Sequence, residues 1–354
     1  MRVAFDAGPL LDPPTGVGRY VRELGNALET VGTEVVRYAV ALRGDSVEDI
    51  KRLRVPARIA QTMWMRIGRP SLRRLVGEVD LFHGTNFVLP PLGKTRGVVT
   101  IHDLSFFDEG AFPGADRLRS LVPWSVERAA RVIVPTEAIK REVVARLPVD
   151  ADRVDVTYEG VAPVFFRPPP TANTFLGELG IPGRFALAAG SLAPRKNLRR
   201  LTEAWERAAP KDWTLVLAGP KGWGPELPEA KGVLPIGWVA DEGLPGLMAA
   251  ADLFCYPSLY EGFGLPPLEA MAAGTAVLVG RYPAAEEVIG DAGVLVDPQD
   301  VDAMAEALSR LTSEEDTRRR LAMKGRAHAA AFTWERTAAA TITAYASALE
   351  GDFP

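Results

Sequence analysis

Two consecutive open α/β domains, each a doubly wound parallel sheet, are the fold class the sequence predicts, and three observations carry it. The chain has 354 residues, 47% hydrophobic and 24% charged, which is more than one ordinary hydrophobic core accommodates. Short β-branched runs alternate with helix-length amphipathic stretches, the pattern of βαβ units. After the proline-rich string Phe166-Arg167-Pro168-Pro169-Pro170 the same rhythm starts again.

In chain order, 3–5, 98–101 and 132–134 read as strands, with helical patterns after Val17, Ala115 and Glu137. Beyond the prolines, strands are expected at 185–189, 215–218, 253–256 and 276–279, with a helix from about Leu198. This places a first domain at 1–170, a second at 171–331 and a helical tail at 332–354 that crosses back to the first. Open parallel sheets bind ligands beyond the carboxyl ends of their strands, so a cleft faced by both sheets is the expected site.

Composition removes several function classes. No apolar run approaches the ~20 residues of a membrane helix. The amino terminus turns polar at once, unlike a secretory signal, which leads to the expectation of a cytoplasmic protein. Cys255 is the single cysteine, so neither an intrachain disulfide nor a multi-cysteine metal site can form. The three histidines, His83, His102 and His328, are poor material for a metal centre. Residues 1–170 carry 24 Lys and Arg against 21 Asp and Glu, and 171–354 carry 17 against 24. An anionic partner should therefore prefer the first half, while neither half is basic enough for nucleic acid.

The most specific string is Glu261-Gly262-Phe263-Gly264-Leu265-Pro266-Pro267-Leu268-Glu269. It follows a strand and opens a helix. Its glycines permit tight turns, its prolines suit a first helical turn, and free amides at that terminus can hold a phosphate. Glu261 before the helix and Glu269 in its second turn suit separate hydroxyl-binding roles better than the close carboxylate pair of a retaining glycosidase. A second strand-to-helix string, Gly190-Ser191-Leu192-Ala193-Pro194-Arg195-Lys196-Asn197, offers two fixed cations. Aimed at a departing nucleoside diphosphate, they would stabilise its growing charge in place of a divalent metal.

In the first half, Thr15-Gly16-Val17-Gly18 opens a helix as a loop approaching phosphate or sugar does. Val21 stands where a dinucleotide fingerprint needs Gly or Ala, and no GxxxxGK[ST] loop exists, which disfavours a dehydrogenase or a P-loop kinase. His102 ends a strand and is followed by Asp103, at the edge where ligands bind. His83 and Asn86, after another strand, are read with Asp103 as the acceptor side. Between 51 and 77 lie eight basic residues and no acid, with Met63-Trp64-Met65 among them. Such a strip suits anionic lipid headgroups, a lipid-pyrophosphate acceptor, or simply a solvated basic face.

The double-glutamate string, the Arg195-Lys196-Asn197 segment, the glycine loop, His102-Asp103, Val134-Pro135-Thr136, Leu295-Val296-Asp297-Pro298 and Phe332-Thr333-Trp334 together resemble the retaining GT-B glycosyltransferases of family 4 over nearly the whole chain. The resemblance implies transfer of a hexose from a nucleotide diphosphate sugar with retention of configuration and no metal or other cofactor. By resemblance, Glu261 contacts the donor sugar, Gly262, Phe263, Gly264 and Leu265 hold sugar and phosphate, and Glu269 binds the ribose. Arg195 and Lys196, with Ser191 in the same turn, bind the diphosphate; Gly16 and Gly18 approach the donor phosphate; His102 lies beside the reacting sugar. Bacterial mannosyltransferases are the most similar in pattern, so GDP-mannose is the expected donor, with the base near Gly219-Pro220 and Gly237-Trp238. The expected acceptor is a saccharide or lipid-linked saccharide, which would bring a cytoplasmic enzyme to the inner membrane face. Two other readings share the motifs: an epimerase or hydrolase that consumes the donor alone, and a non-catalytic nucleotide-sugar-binding protein.

Overall fold

The computed structural model describes every residue except 12–14, 45–48, 109–111, 113, 170–172, 209, 221, 223–228 and 352–354, and at 173 and 174 the backbone only. It divides into two compact units, Met1–Gly160 with Trp334–Pro354, and Val161–Thr333.

The first unit is built on seven strands: β1 (Arg2–Asp6), β2 (Glu34–Val40), β3 (Lys51–Leu53), β4 (Leu81–Gly84), β5 (Arg96–Thr100), β6 (Arg131–Val134) and β7 (Val154–Val156). All neighbours pair in parallel, in the order β3-β2-β1-β4-β5-β6-β7. The central strands are apolar on both faces, with Val3, Ala4, Phe5, Val98 and Val99 all fully buried, because crossover helices cover the sheet on either side. One cover is the helix Gly16–Thr30, which packs on the tail helix Trp334–Glu350; that helix also lies against β5 and β6.

The second unit repeats the plan with β8 (Arg184–Ala189), β9 (Trp213–Ala218), β10 (Val233–Gly237), β11 (Leu253–Tyr256), β12 (Val277–Gly280) and β13 (Val294–Val296), all parallel in the order β10-β9-β8-β11-β12-β13. Leu215, Leu217, Leu253 and Leu278 face the helices Leu198–Ala208 and Val301–Ser313 across one side of this sheet. Cys255 lies in that core, where burial pushes its thiol up to about 12 and leaves it inert.

Two details differ from the expectation. The boundary expected at 170 falls among residues outside the described set, and the units divide earlier, after Gly160. The short helix Pro163–Phe166 packs on the helices Leu244–Ala250 and Leu265–Ala272, with Phe165 buried, so 161–169 belong to the second unit's core rather than to a linker. In the basic strip, a helix at Ala57–Ile67 turns Trp64 inward, where its indole donates to the Pro70 carbonyl at 3.0 Å. Trp64 is therefore not part of the surface trio; Ile59, Met63, Met65 and Ile67 are the exposed apolar residues there.

Candidate active site

In both sheets the strand order reverses beside the first strand, between β1 and β4 and between β8 and β11. Crossover loops leave such a point in opposite directions and open a crevice at the strand ends.

In the second unit that crevice is lined by Gly190, Lys196, Cys255, Tyr256 and Pro257. The chain leaves β8 through Gly190, at φ +142°, and the end of β9 comes so close that a Cβ on Gly219 would collide with the Gly190 carbonyl oxygen. The turn Pro194–Lys196 then ends at Asn197, which adopts a left-handed conformation with φ +56°. Asn197 is buried and ties the turn to two other strand ends, donating to the carbonyls of Pro257 at 3.1 Å and Pro298 at 2.6 Å and accepting from Arg200 at 3.0 Å. The Arg195 carbonyl meanwhile accepts from the Leu259 amide at 2.9 Å. This turn is thus clamped to the loop after β11, and its two cations converge on Glu261.

Lys196 Nζ lies 2.6 Å from Glu261 Oε1 and also donates to the Tyr256 hydroxyl at 2.5 Å. Arg195 pairs with Glu261 Oε2 and donates to the Tyr260 carbonyl at 2.6 Å. Burial alone would raise the Glu261 carboxyl, but the Lys196 ammonium and the Arg195 guanidinium outweigh it and hold the group down to about 2. The same burial keeps the Tyr256 phenol protonated, pushed well up with Glu261 adding to the effect. Two cations against one carboxylate leave a net positive charge at the strand ends, an arrangement able to receive a polyanion.

Downstream, Gly264 takes φ +97° to start the helix Leu265–Ala272, with Pro266 and Pro267 in its first turn. Gly262, Phe263, Gly264 and Leu265 are all buried in this turn, and Glu269 in the second helical turn is only 1% exposed. Neither glutamate of the string is a solvated surface residue. Ser191 is half-buried at the β8 exit, its carbonyl accepting from the Ala193 amide at 2.7 Å. Of the glycines expected near the base, Gly219 donates to the Gly237 carbonyl at 2.7 Å, and Trp238 beside it is 56% exposed.

In the first unit, His102 lies just past β5 and is buried. Its Nε2 donates to the Thr85 carbonyl at 2.8 Å, and its Nδ1 faces Glu159 Oε1 at 3.7 Å. Tyr20 and Phe87 pack edge-on against the imidazole. Gly16 and Gly18 begin the helix Gly16–Thr30, where the Thr15 hydroxyl caps the Gly18 amide at 3.1 Å. Asp6 ends β1; burial raises its carboxyl to about 6, against the Gly8 amide that bonds it at 2.9 Å.

The expected acceptor-side group separates on inspection. His83 is fully buried, its Nδ1 2.7 Å from the Tyr345 hydroxyl and its Nε2 2.8 Å from the Thr100 hydroxyl, which also contacts Tyr20 at 3.0 Å. Burial, with a further push from His102, holds this imidazole neutral, down to about 3. His83 is a polar pin between the sheet and the tail helix. Asp103 accepts from the amide and hydroxyl of Ser105 at 2.9 and 2.7 Å, which spends one of its oxygens on the tight turn into the short helix Ser105–Phe107. Asn86 remains half-buried beside His102's loop.

Four residues were missed from sequence: Tyr256, Tyr282, Glu159 and Asp6. Tyr256 and Asp6 had a usable signal, since each ends a strand at the reversal point. Glu159 and Tyr282 had none, because folding alone brings them to the His102 and Glu261 loops.

Two units of parallel sheets with a basic strand-end turn and a glutamate-bearing helix start define a GT-B glycosyltransferase, and the whole structure is similar to sucrose-phosphate synthase from Thermosynechococcus elongatus, with a TM-score of 0.77 at 21% identity over 98% of each chain. Residues 14–164 match the family described as Glycosyltransferase Family 4, and residues 183–314 that described as Glycosyl transferases group 1. The chain belongs to this glycosyltransferase family. It is 29% identical over 380 residues to O-antigen chain mannosyltransferase B of Escherichia coli, covering 98% of this chain and 99% of that one. It is also 30% identical over 322 residues to D-inositol 3-phosphate glycosyltransferase of Salinispora arenicola, covering 79% and 71% of the two chains. Among the described residues no helix is long and apolar enough to cross a membrane.

Proposed function

We propose that this glycosyltransferase takes a hexose from a nucleotide diphosphate sugar, GDP-mannose in the first instance, and passes it with retention of configuration to a saccharide or lipid-linked acceptor without a metal. The observation that carries this reading is the convergence of Arg195 and Lys196 on Glu261 at the strand ends of the second unit. The cations would draw off the diphosphate as the bond from the anomeric carbon to its phosphate oxygen breaks. The acceptor oxygen then bonds to that carbon on the same face and gives its proton to the departing phosphate. Interactions that strengthen as the leaving group gains charge raise turnover rather than affinity alone. Glu261 and the turn through Gly262, Phe263, Gly264 and Leu265 would orient the sugar, Glu269 the ribose, and His102 the reacting centre. Mannose as the transferred sugar draws support from the length over which the chain parallels the Escherichia coli mannosyltransferase.

Peripheral contact with an anionic membrane belongs to the same reading. The helix Ala57–Ile67 exposes Ile59, Met63 and Ile67 at four-residue spacing, with Arg58 and Arg66 alongside, which is the composition of a face that settles among acidic headgroups. Sedimentation with phosphatidylglycerol vesicles but not with phosphatidylcholine vesicles tests it.

A thermal-shift panel of GDP, UDP, dTDP and ADP with their common sugars, in EDTA and then with magnesium, tests the donor and the metal together. Selective stabilisation by GDP-mannose and GDP in EDTA is the expected result. A requirement for magnesium overturns metal independence, and no shift with any nucleotide overturns the donor reading.

A further inference from the structure

Tyr282 is the second residue after β12 and precedes the short helix Pro283–Val288. Its side chain is buried at 5% exposure, and among the described residues its hydroxyl is a buried oxygen with no hydrogen-bond partner. Buried polar groups are almost always satisfied, so an orphaned hydroxyl calls for a partner that arrives later. Its position says where that partner would be. A Cβ built on Gly264 would stand 3.2 Å from the Tyr282 oxygen, so the hydroxyl sits over the residue that starts the helix Leu265–Ala272. First-turn amides there lack intrahelical acceptors and carry the positive end of the helix dipole.

We infer that the Tyr282 hydroxyl is a further donor-binding group, giving a hydrogen bond to an oxygen of the outer phosphate of the bound nucleoside diphosphate at the start of the helix Leu265–Ala272. This rests on the nucleotide-sugar reading above. Burial first, and then the nearby Glu261 carboxylate, keeps the phenol protonated against the pull of Arg195, so the group can only donate to an anion. A diphosphate suits all that surrounds it: a hydroxyl donor, a helix amino terminus and the Arg195 guanidinium act on one local region. The sequence offered no sign of this, since Tyr282 lies outside the glutamate string and reaches it only through the fold.

The test compares wild type with Tyr282→Phe, which removes the oxygen and keeps the ring. Both are titrated with GDP, UDP, dTDP and ADP, then with the monophosphate of whichever base wild type selects. The expected result is an unliganded Tm no lower than wild type, because an unsatisfied hydroxyl has been deleted, with about tenfold weaker Kd for the diphosphate and an unchanged Kd for the monophosphate. A lower unliganded Tm shows the hydroxyl to be satisfied inside the protein and overturns the inference. Unchanged diphosphate affinity overturns it as well. If wild type binds no nucleotide, the donor reading falls and takes the inference with it; if wild type binds and the variant binds equally, only the inference falls.

Discussion

The sheets of the two units share one strand order over their first six strands and reverse it beside the same strand, but their carboxyl ends carry different chemistry. In the second unit the strand ends gather Arg195, Lys196 and Glu261 into a charged cluster held by Asn197. In the first unit the corresponding region holds neutral links, His83 with Thr100, Tyr20 and Tyr345, and above them His102 facing Glu159. One scaffold thus does two jobs. In the second unit ionised groups lie at the crevice and are paired with one another; around His83 in the first, polar groups are sealed and left uncharged where the tail helix is anchored.

The largest effect that would break this comparison comes from Lys196→Ala. If the cluster carries leaving-group stabilisation, turnover should fall by about 100- to 1,000-fold while the fold survives, as for removal of a preorganised charge at a developing anion. Steady-state kinetics beside a circular-dichroism melt check it, and near-normal turnover ends the leaving-group role.

Acid sharpens the contrast next. The Glu261 carboxyl titrates near 2 in the folded protein against 4.5 when free. Its contribution is therefore complete above about pH 4.5 and lost as the pH falls towards 2, a change of order 3 kcal/mol. Urea unfolding at pH 5 and pH 3 should show wild type losing its advantage over Glu261→Gln between those two values.

Tyr345→Phe removes the partner of the His83 Nδ1 and leaves that nitrogen buried, at a cost of about 1–3 kcal/mol. A drop in Tm of several degrees with an unaltered nucleotide-induced shift is expected. Loss of nucleotide binding instead would return His83 to a ligand-binding role.

The smallest effect belongs to Glu159→Gln. Removing the carboxylate that faces His102 Nδ1 should lower turnover by about tenfold, worth some 1.4 kcal/mol. A flat response would make Glu159 a packing residue.

Much of the second unit's site was legible in the sequence because it is written in short contiguous strings. Gly190 to Asn197 and Glu261 to Glu269 each contain their own turn, helix start and charged groups. What joins them was hidden, since Asn197 reaches Pro257 and Pro298 across 60 and 101 residues of chain. His83 misled for the opposite reason. A histidine after a strand looks like a site, and only Thr100 together with a tyrosine 262 residues away shows both its nitrogens to be occupied. The basic strip was legible in charge but not in direction, because the helical period that turns Trp64 inward and leaves Ile59 and Ile67 outside was not read. The proline-rich string suggested a linker at 170, yet burial of Phe165 assigns the preceding residues to the second unit.

The tail helix Trp334–Glu350 completes the first unit from the far side of the second in sequence. During synthesis Tyr345 emerges 262 residues after His83, a delay of about 13–50 s at bacterial and eukaryotic elongation rates. For that interval the nascent first unit holds a sheet whose apolar cover over β5 and β6 has not been made. A message truncated after Thr333 would leave the first unit without its tail helix, an unfinished half that chaperones and proteases must handle.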